Sequence, residues 1–307
     1  MTDTPVAAST PSPTLPQWKL WVLAARPKTL PAAIAPILVG TGVAIHEDGF
    51  HALSAAMALL TALFLQIAAN FANDALDFTR GADTAERMGP TRVTSAGLLS
   101  HRAVLIATGV ALALAIATGL VLVYRGGWPL LLLGIAAVIC AVAYTGGPFP
   151  ISYLGLGEVF VFLFFGLAAV TGTAWVQTLD LTPLALAAAV PPGALAVGIL
   201  IVNNLRDLPT DAVAGKRTVA VRIGAERTRL EYGAMLVLAA ASPIIYWISG
   251  WLDWWWILTV ASWPLLWWLW RQIHVNQGRA LNATLAATGR ALLIHSALLA
   301  AALILSG

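Results

Sequence analysis

Charged residues are scarce in this chain. They make up 10% of its 307 residues, whereas 59% are hydrophobic. Because soluble domains carry about a quarter charged residues, this composition excludes an ordinary soluble protein and indicates a polytopic protein of the lipid bilayer. The net charge of +3 is also too small to indicate a nucleic-acid partner.

Cysteine is almost absent as well. The single cysteine, Cys140, lies inside an apolar run, which excludes a disulfide framework and a cysteine-based metal site and predicts a packing role. Residues 1–17 are rich in Pro, Ser and Thr and contain no hydrophobic signal-peptide core. They are predicted to form a disordered tail, followed by a single transmembrane domain at residues 18–307.

Apolar runs dominate that domain and predict an all-α bundle of nine transmembrane helices. A span needs about 20 residues. The first run is shorter, so its helix is expected to begin upstream, near Trp18 or Trp21, and to bend at Pro27 and Pro31. The predicted spans cover residues 30–45, 53–71, 103–124, 128–144, 154–177, 183–202, 230–248, 254–270 and 291–305.

The basic residues fall almost entirely on one side of this predicted bundle. With a cytoplasmic N-terminus, 16 of the 17 Lys and Arg residues lie in cytoplasmic segments, and only Arg125 lies outside. Cytoplasmic loops of membrane proteins carry an excess of Lys and Arg. We therefore predict a multi-pass protein of the cell membrane whose N-terminus and two polar loops, at about 72–101 and 203–229, are cytoplasmic.

A first polar cluster follows the second apolar run. If the helix continues, its polar side chains share one face, and they are Asn70, Asn73, Asp74 and Asp77. Neighbouring carboxylates resist ionising unless a cation lies between them. Mg²⁺ suits this arrangement, because it takes one or two carboxylates and leaves its other positions to water and phosphate oxygens. A solvated helix end, whose acids offset nearby arginines such as Arg80, is the alternative.

A second polar cluster follows the sixth apolar run. Asn203, Asp207 and Asp211 repeat the four-residue spacing of Asn73 and Asp77. Four spans separate the clusters, so both are expected on the same side. The chain is thus predicted to contain two parallel pseudo-repeats around a central cavity, each delivering an Asn-x-x-x-Asp element to one cytoplasmic mouth.

Basic residues beside the second cluster complete the pattern of a diphosphate site. Arg206, Lys216 and Arg217 fit the outer oxygens of a diphosphate, although Lys216 and Arg217 also fit ordinary positive-inside charge. With apolar helices to hold a hydrocarbon tail, the ligand indicated is a polyprenyl diphosphate. The expected chemistry is ionisation of its allylic C–O bond and capture of the cation by an electron-rich acceptor, under a lid of the polar loops that excludes water.

The two acidic motifs resemble those of the UbiA superfamily of intramembrane prenyltransferases, and the resemblance covers nearly the whole chain after the tail. The stretches RPKTLP at 26–31, Gly81-x-Asp83, YTGGP at 144–148 and GLGEVF at 155–160 are similar to the MenA branch, the 1,4-dihydroxy-2-naphthoate prenyltransferases. This resemblance implies transfer of a polyprenyl chain to 1,4-dihydroxy-2-naphthoate, with Mg²⁺ as cofactor. Loss of CO₂ and diphosphate then gives demethylmenaquinone.

Carried onto this chain, the resemblance assigns Mg²⁺–diphosphate binding to both motifs. The candidate metal ligands are Asn73, Asp74, Asp77, Asn203, Asp207 and Asp211, and the candidate catalytic residues are Asp77, Asp83, Asp207 and Asp211. The candidate substrate-binding residues are Arg26, Lys28, Asn70, Arg80, Tyr144, Glu158, Arg206, Lys216 and Arg217.

Several of these roles have an alternative. Asp83 lies six residues after Asp77 and either contacts the metal or helps to deprotonate the acceptor. Arg26 and Lys28 either bind the acceptor carboxylate or anchor the topology. Glu158 either lines the acceptor pocket or is a helix N-terminal acid favoured by the dipole. Asn70 either supports the metal ligands or bonds a neighbouring helix.

Two other functions compete with this one. A related prenyltransferase could use another acceptor, such as 4-hydroxybenzoate or homogentisate. A secondary transporter could also contain two parallel repeats, but transporter sites usually lie near the bilayer midplane. The acids of this sequence gather instead at the predicted cytoplasmic helix ends, which favours the enzyme.

Overall fold

A computed structural model describes residues 16–79, 88–89, 92–144, 146 and 150–307. All regular secondary structure within these ranges is helical, which confirms the all-α prediction. The α-helices are α1 (Gln17–Ala25), α2 (Pro31–His46), α3 (Ala52–Thr79), α4 (His101–Gly126), α5 (Trp128–Ala143), α6 (Gly157–Val161), α7 (Ala169–Thr178), α8 (Pro183–Ala188), α9 (Val190–Val213), α10 (Val219–Ile248), α11 (Trp263–Val275) and α12 (Leu281–Ser306). Short 3₁₀ segments occur at Pro27–Thr29, Ile151–Tyr153, Trp254–Ser262 and Gly278–Ala280, and a π-helical segment, Phe162–Ala168, joins α6 to α7.

Helix length and composition support a multi-pass membrane protein. Six stretches in the described part are long and apolar enough to cross a membrane, and they are Ala52–Phe78, His101–Gly126, Gly157–Thr178, Pro183–Val213, Val219–Ile248 and Gly278–Ser306. The pair of α1 and α2, bent by 52°, makes a seventh. Of the other predicted spans, α5 has only 16 residues, and the one at 254–270 is divided between a 3₁₀ segment and α11. Length therefore supports six or seven of the nine predicted spans.

The first span begins upstream of its apolar run, as expected. Residues 1–15 of the predicted tail lie outside the described ranges, and α1 runs from Gln17 to a cap at Arg26, whose backbone is left-handed with φ of 52°. Pro27 and Pro31 then begin the 3₁₀ segment and α2. Because proline cannot donate a backbone hydrogen bond, the helix breaks between them. The break places Arg26 at the wall of an internal cavity.

The centre of the bundle is formed by α9 and α12. Helix α12 packs against both α9 and α2, and α9 packs against α10. Small residues allow this close approach: a Cβ added at Gly42 would lie 2.9 Å from the Cα of Ala300, and one added at Gly166 would lie 2.8 Å from the Cα of Gly193. Since lipid is as apolar as these side chains, tight packing of small residues is what favours helix association in a membrane.

Both acidic motifs lie on helix ends rather than in long loops. Helix α3 continues to Thr79 and α9 to Val213, so the segments predicted as loops, 72–101 and 203–229, both begin as helix. The second segment becomes helical again at Val219, because the side chain of Thr218 accepts a hydrogen bond from the amide of Val221 at 3.3 Å and caps α10. Helix α10 departs from helical geometry at Gly224, where φ is 80°. The motif side chains are thus held by rigid backbone.

Candidate active site

A polar cavity of about 140 Å³ lies where α3 and α9 end. Asn73 and Asp77 of α3 and Asn203, Asp207 and Asp211 of α9 all line it, so the fold brings the two acidic motifs together as the sequence predicts. In total, nine of the residues predicted for the site are in the cavity wall: Arg26, Asn73, Asp77, Tyr144, Glu158, Asn203, Asp207, Asp211 and Lys216.

In the first motif, an arginine neutralises the negative charge of Asp77. Arg92 forms an ion pair with Oδ2 of Asp77, and its guanidinium also donates to the backbone carbonyl of Asn73. The side chains of Arg92 and Asp77 are only 7% and 6% exposed. The other carboxylate oxygen of Asp77, Oδ1, is buried and has no hydrogen-bond partner among the described residues. One oxygen of Asp77 is therefore left for a further cation.

Asp74 accepts hydrogen bonds from the loop that carries Arg92. Its carboxylate accepts hydrogen bonds from the backbone amides of Val93, at 3.1 Å, and Thr94, at 2.9 Å. Asp74 is buried, and it is not among the described residues that line the cavity. These contacts fix the backbone next to Arg92 and so hold its guanidinium beside Asp77.

The second motif is organised by Arg206, which is 2% exposed. Its guanidinium donates to both carboxylate oxygens of Asp207, at 2.8 and 2.5 Å, and to Oδ1 of Asn203, at 2.8 Å. A fourth bond, also of 2.8 Å, reaches Oδ1 of Asn282 in α12. The structure thus places Arg206 behind the cavity wall, where it orients Asp207 and Asn203, rather than among the described lining residues.

Lys216 lies at the edge of the cavity, on the connection between α9 and α10. Its ammonium is 3.2 Å from Oδ1 of Asp211 and 5.2 Å from the centre of the Tyr153 ring. Its backbone amide also donates to the carbonyl of Asp211. Arg217, the next residue, has an exposed side chain and is not among the described lining residues.

Glu158, Asn204 and Tyr144 form a third polar group in the wall of the same cavity. Glu158, in the first turn of α6, accepts a hydrogen bond of 3.0 Å from Asn204 of α9. Tyr144, directly after α5, lines the same cavity. A carboxylate, an amide and a phenol therefore share the cavity wall with the acidic helix ends, which gives the cavity both hydrogen-bond donors and acceptors.

Helix α3, which carries the first motif, also forms hydrogen bonds to the break between α1 and α2. Asn70 donates to the carbonyl of Ala25 at 2.9 Å and to the hydroxyl of Thr29 at 3.0 Å. The Thr29 hydroxyl in turn donates to the carbonyl of Arg26 at 2.9 Å. Asn70 thus bonds a neighbouring helix, one of its two predicted roles. Lys28 is exposed and is not among the described residues of the cavity wall.

An apolar cavity of about 610 Å³ adjoins the polar one. Residues from α2 to α7 line it, and most of them are Ala, Leu, Ile, Val and Phe. Asn73 and Tyr144 line both cavities, so the two meet at these residues. The arrangement can hold a ligand with a charged head group and a long hydrocarbon tail.

Two predicted site residues, Arg80 and Asp83, lie outside the described residues. Among the lining residues that the sequence did not assign to the site are Arg92 and Asn204, which bond Asp77 and Glu158. Arg92 belongs to the polar stretch after α3, so its charge was the available signal for pairing with Asp77. Asn204 directly follows Asn203, but its contact with Glu158 depends on the packing of α6 against α9.

Comparison with known proteins gives a consistent result. The UbiA prenyltransferase family matches residues 33–298. A 1,4-dihydroxy-2-naphthoate octaprenyltransferase of Mycobacterium tuberculosis is 40% identical over 284 residues, which cover 92% of this chain and 96% of the relative.

Two solved structures support the same fold. A UbiA homologue from Aeropyrum pernix K1 has a TM-score of 0.67 at 15% identity, covering 89% of this chain and 97% of that chain. A UbiA homologue from Archaeoglobus fulgidus, bound to GPP and Mg²⁺, has a TM-score of 0.57 at 17% identity, covering 89% of this chain and 99% of that chain.

Proposed function

The chain belongs to the UbiA prenyltransferase family, and we propose that it transfers a polyprenyl chain from polyprenyl diphosphate to 1,4-dihydroxy-2-naphthoate. CO₂ and diphosphate leave, and the product is the hydroquinone form of demethylmenaquinone. The observation that carries this proposal is the junction of a polar and an apolar cavity at Asn73 and Tyr144. A prenyl diphosphate has the same two parts. The relative that is 40% identical over most of the chain is named for this reaction, which supports the choice of acceptor.

The donor is expected to lie across the junction. Its diphosphate would occupy the polar cavity, and its tail the apolar one, whose volume of about 610 Å³ falls within the range of about 300–1,000 Å³ usual for ligand pockets. Lys216 and Arg92 lie beside the acidic motifs and can bind phosphate oxygens. Their positive charge would stabilise the diphosphate as the allylic C–O bond breaks.

Mg²⁺ is the cation that fits the oxygen donors of this site. Asp77 keeps a buried oxygen without a partner among the described residues, and Asn73, Asn203, Asp207 and Asp211 share the wall. No group of three His, Cys, Asp or Glu side chains in the described ranges could hold a metal alone. That agrees with Mg²⁺, which usually binds through one or two carboxylates together with substrate phosphates. When bound, Mg²⁺ would supply Lewis-acid stabilisation of the leaving diphosphate.

We assign the acceptor to Arg26, Tyr144 and Glu158, which all line the polar cavity. The planar guanidinium of Arg26 suits a carboxylate bidentately, and the Tyr144 hydroxyl can bond a ring oxygen of the acceptor. Glu158, held by Asn204, is placed to accept a proton from an acceptor hydroxyl, which makes the ring more electron-rich. The apolar walls exclude water from the cation until the ring captures it.

We assign the site to the cytoplasmic face of the cell membrane. The support is the distribution of basic residues, since Arg92, Arg206 and Lys216 all lie at the end of the bundle that holds the motifs. Arg125 lies at the far end of α4, where it bonds the carbonyls of Val176 and Gln177. An excess of Lys and Arg marks the cytoplasmic side.

A transfer assay tests the proposal. Purified protein in detergent is incubated with labelled polyprenyl diphosphate and either 1,4-dihydroxy-2-naphthoate or 4-hydroxybenzoate, with Mg²⁺ or with EDTA. Labelled prenyl naphthohydroquinone, recovered as the quinone after oxidation in air, is expected with Mg²⁺ only. Asp180→Ala, an exposed change in the loop between α7 and α8, should leave the yield unchanged. Labelling of hydroxybenzoate alone would refute the acceptor, and equal transfer in EDTA would refute the metal.

A further inference from the structure

Two hydrogen bonds run from the second acidic motif through α12 to Met88, on the connection that follows the first motif. Arg206 donates to Oδ1 of Asn282 at 2.8 Å, and Nδ2 of Asn282 donates to the backbone carbonyl of Met88 at 2.9 Å. Both ends of the Asn282 amide are therefore in use. Asn282 lies in the first turn of α12 and belongs to neither motif.

One end of this connection determines where the second motif points. The remaining nitrogens of Arg206 hold Asp207 and Asn203. A guanidinium is planar and its donors lie at fixed angles, so the bond to Asn282 fixes the rotation of the plane that orients Asp207. Arg206 is almost fully buried, where water cannot take the place of a lost partner.

The other end reaches the segment that follows the first motif. Met88 lies four residues before Arg92, which pairs with Asp77. The sulfur of Met88 also lies 3.1 Å from the position of a Cβ added at Gly278, in the 3₁₀ segment that leads into α12. Met88 is therefore held by a hydrogen bond from α12 and by packing against the 3₁₀ segment that precedes it.

We propose that Asn282 is a positioning residue that holds the two acidic motifs at the separation that one metal–diphosphate unit requires. The proposal rests on the proposed function and extends it to a residue outside the motifs. Without Asn282, Arg206 loses one of its fixed partners and the segment at Met88 loses its bond to α12. The two motifs can then move relative to each other.

The chain provides a matched control in Asn276. Its side-chain amide donates to Gln272 and Thr284, at 3.2 and 3.0 Å, so its bonds stay within α11 and α12. Asn276 and Asn282 are both asparagines at the same helix connection. Asn276→Ala therefore removes a polar contact at this connection without touching either motif.

The experiment measures binding of Mn²⁺ with inorganic pyrophosphate to the full chain in detergent, by electron paramagnetic resonance and calorimetry, beside the apparent Tm. Asn282→Ala is expected to weaken this joint binding about tenfold or more, as expected when a hydrogen bond to a charged group is lost, and Asn276→Ala to leave it unchanged. Asn282→Asp keeps an acceptor for Arg206, loses the donor to Met88 and adds a negative charge beside the guanidinium. It should therefore fold and bind less tightly than wild type but more tightly than Asn282→Ala.

Equal affinity of wild type, Asn282→Ala and Asn282→Asp would overturn the proposal, as would equal weakening by Asn276→Ala. If wild-type protein binds Mn²⁺ and pyrophosphate but transfers no prenyl group to the naphthoate, the proposed function fails while this test still decides the role of Asn282. Absence of joint binding in wild type would overturn the role of Asn282, while the transfer assay still decides the proposed function.

Discussion

Arg92 is the cation that neutralises Asp77 in this structure, so a divalent ion bound to Asp77 must compete with it. Replacing Arg92 with glutamine removes the charge that competes for Asp77 and leaves a shorter, neutral polar side chain. The surrounding loop has its own support, because Asp74 holds the amides of Val93 and Thr94. We therefore expect Arg92→Gln to bind a divalent cation more tightly than wild type when no prenyl diphosphate is present.

The size of the effect follows from burial of the pair. The side chains of Arg92 and Asp77 are 7% and 6% exposed, so water does little to replace their contact. A hydrogen bond to a charged group contributes about 1.5–3 kcal/mol. Since about 1.4 kcal/mol corresponds to a tenfold change in affinity, the dissociation constant for the cation should fall about 10-fold to 100-fold.

The assay is a titration of detergent-solubilised protein with Mn²⁺, followed by electron paramagnetic resonance of the free ion. Arg125→Gln is the matched control, because Arg125 bonds only backbone carbonyls of Val176 and Gln177 among the described contacts. Its Mn²⁺ affinity should equal that of wild type. An unchanged or weaker affinity in Arg92→Gln would refute the view that Arg92 competes with the metal for Asp77.

The remaining predictions concern turnover and substrate choice. Asp77→Asn and Asp207→Asn keep the side-chain size but lose the charge. Each should lower kcat in the transfer assay about 100-fold or more with little change in apparent Tm. Retained turnover in both variants would contradict the metal assignment. Lys216→Ala should raise KM for the prenyl donor about tenfold with a smaller change in kcat, whereas an unchanged KM would leave Lys216 with a role in topology only. Gly134 lines the apolar cavity and an added Cβ meets open space, so Gly134→Phe should lower transfer from long prenyl donors more than from short ones. Gly109 is equally open but outside the described cavity lining, and Gly109→Phe is therefore the control. Equal effects of Gly134→Phe on long and short donors would argue against this cavity as the tail site.

Helical periodicity predicted the site only in part. Asn73 and Asp77 are four residues apart and both face the cavity, as the spacing requires. Asp74 is one residue from Asn73, so its side chain points about 100° away around the helix and contacts the loop amides instead. The side chain of Asn70 donates a hydrogen bond to the carbonyl of Ala25, at the break between α1 and α2. Sequence spacing gives the direction of each side chain, but not which neighbour occupies that direction.

Partners on distant helices could not be derived from the sequence. Arg206 was expected at the diphosphate because it is a base beside the second motif. Its position is set by packing of α9 against α12, which places Asn282 within 2.8 Å of its guanidinium. Nothing in the spacing of the motif identifies a residue 76 positions away as a partner. Such contacts depend on helix rotation, which the sequence pattern leaves undetermined.

Each motif aspartate in the described cavity wall has a base of its own, and the pairs are Asp77 with Arg92, Asp207 with Arg206, and Asp211 with Lys216. Arg206 lies inside α9 and has three partners, so it stays with its carboxylate. Arg92 and Lys216 lie on connections between helices, and both line the polar cavity. Both can exchange a carboxylate for a phosphate oxygen, and doing so releases two carboxylates to the metal. The prenyl diphosphate and Mg²⁺ are therefore expected to strengthen each other's binding. By linkage, the diphosphate must raise the affinity for Mg²⁺ by the same factor as Mg²⁺ raises the affinity for the diphosphate.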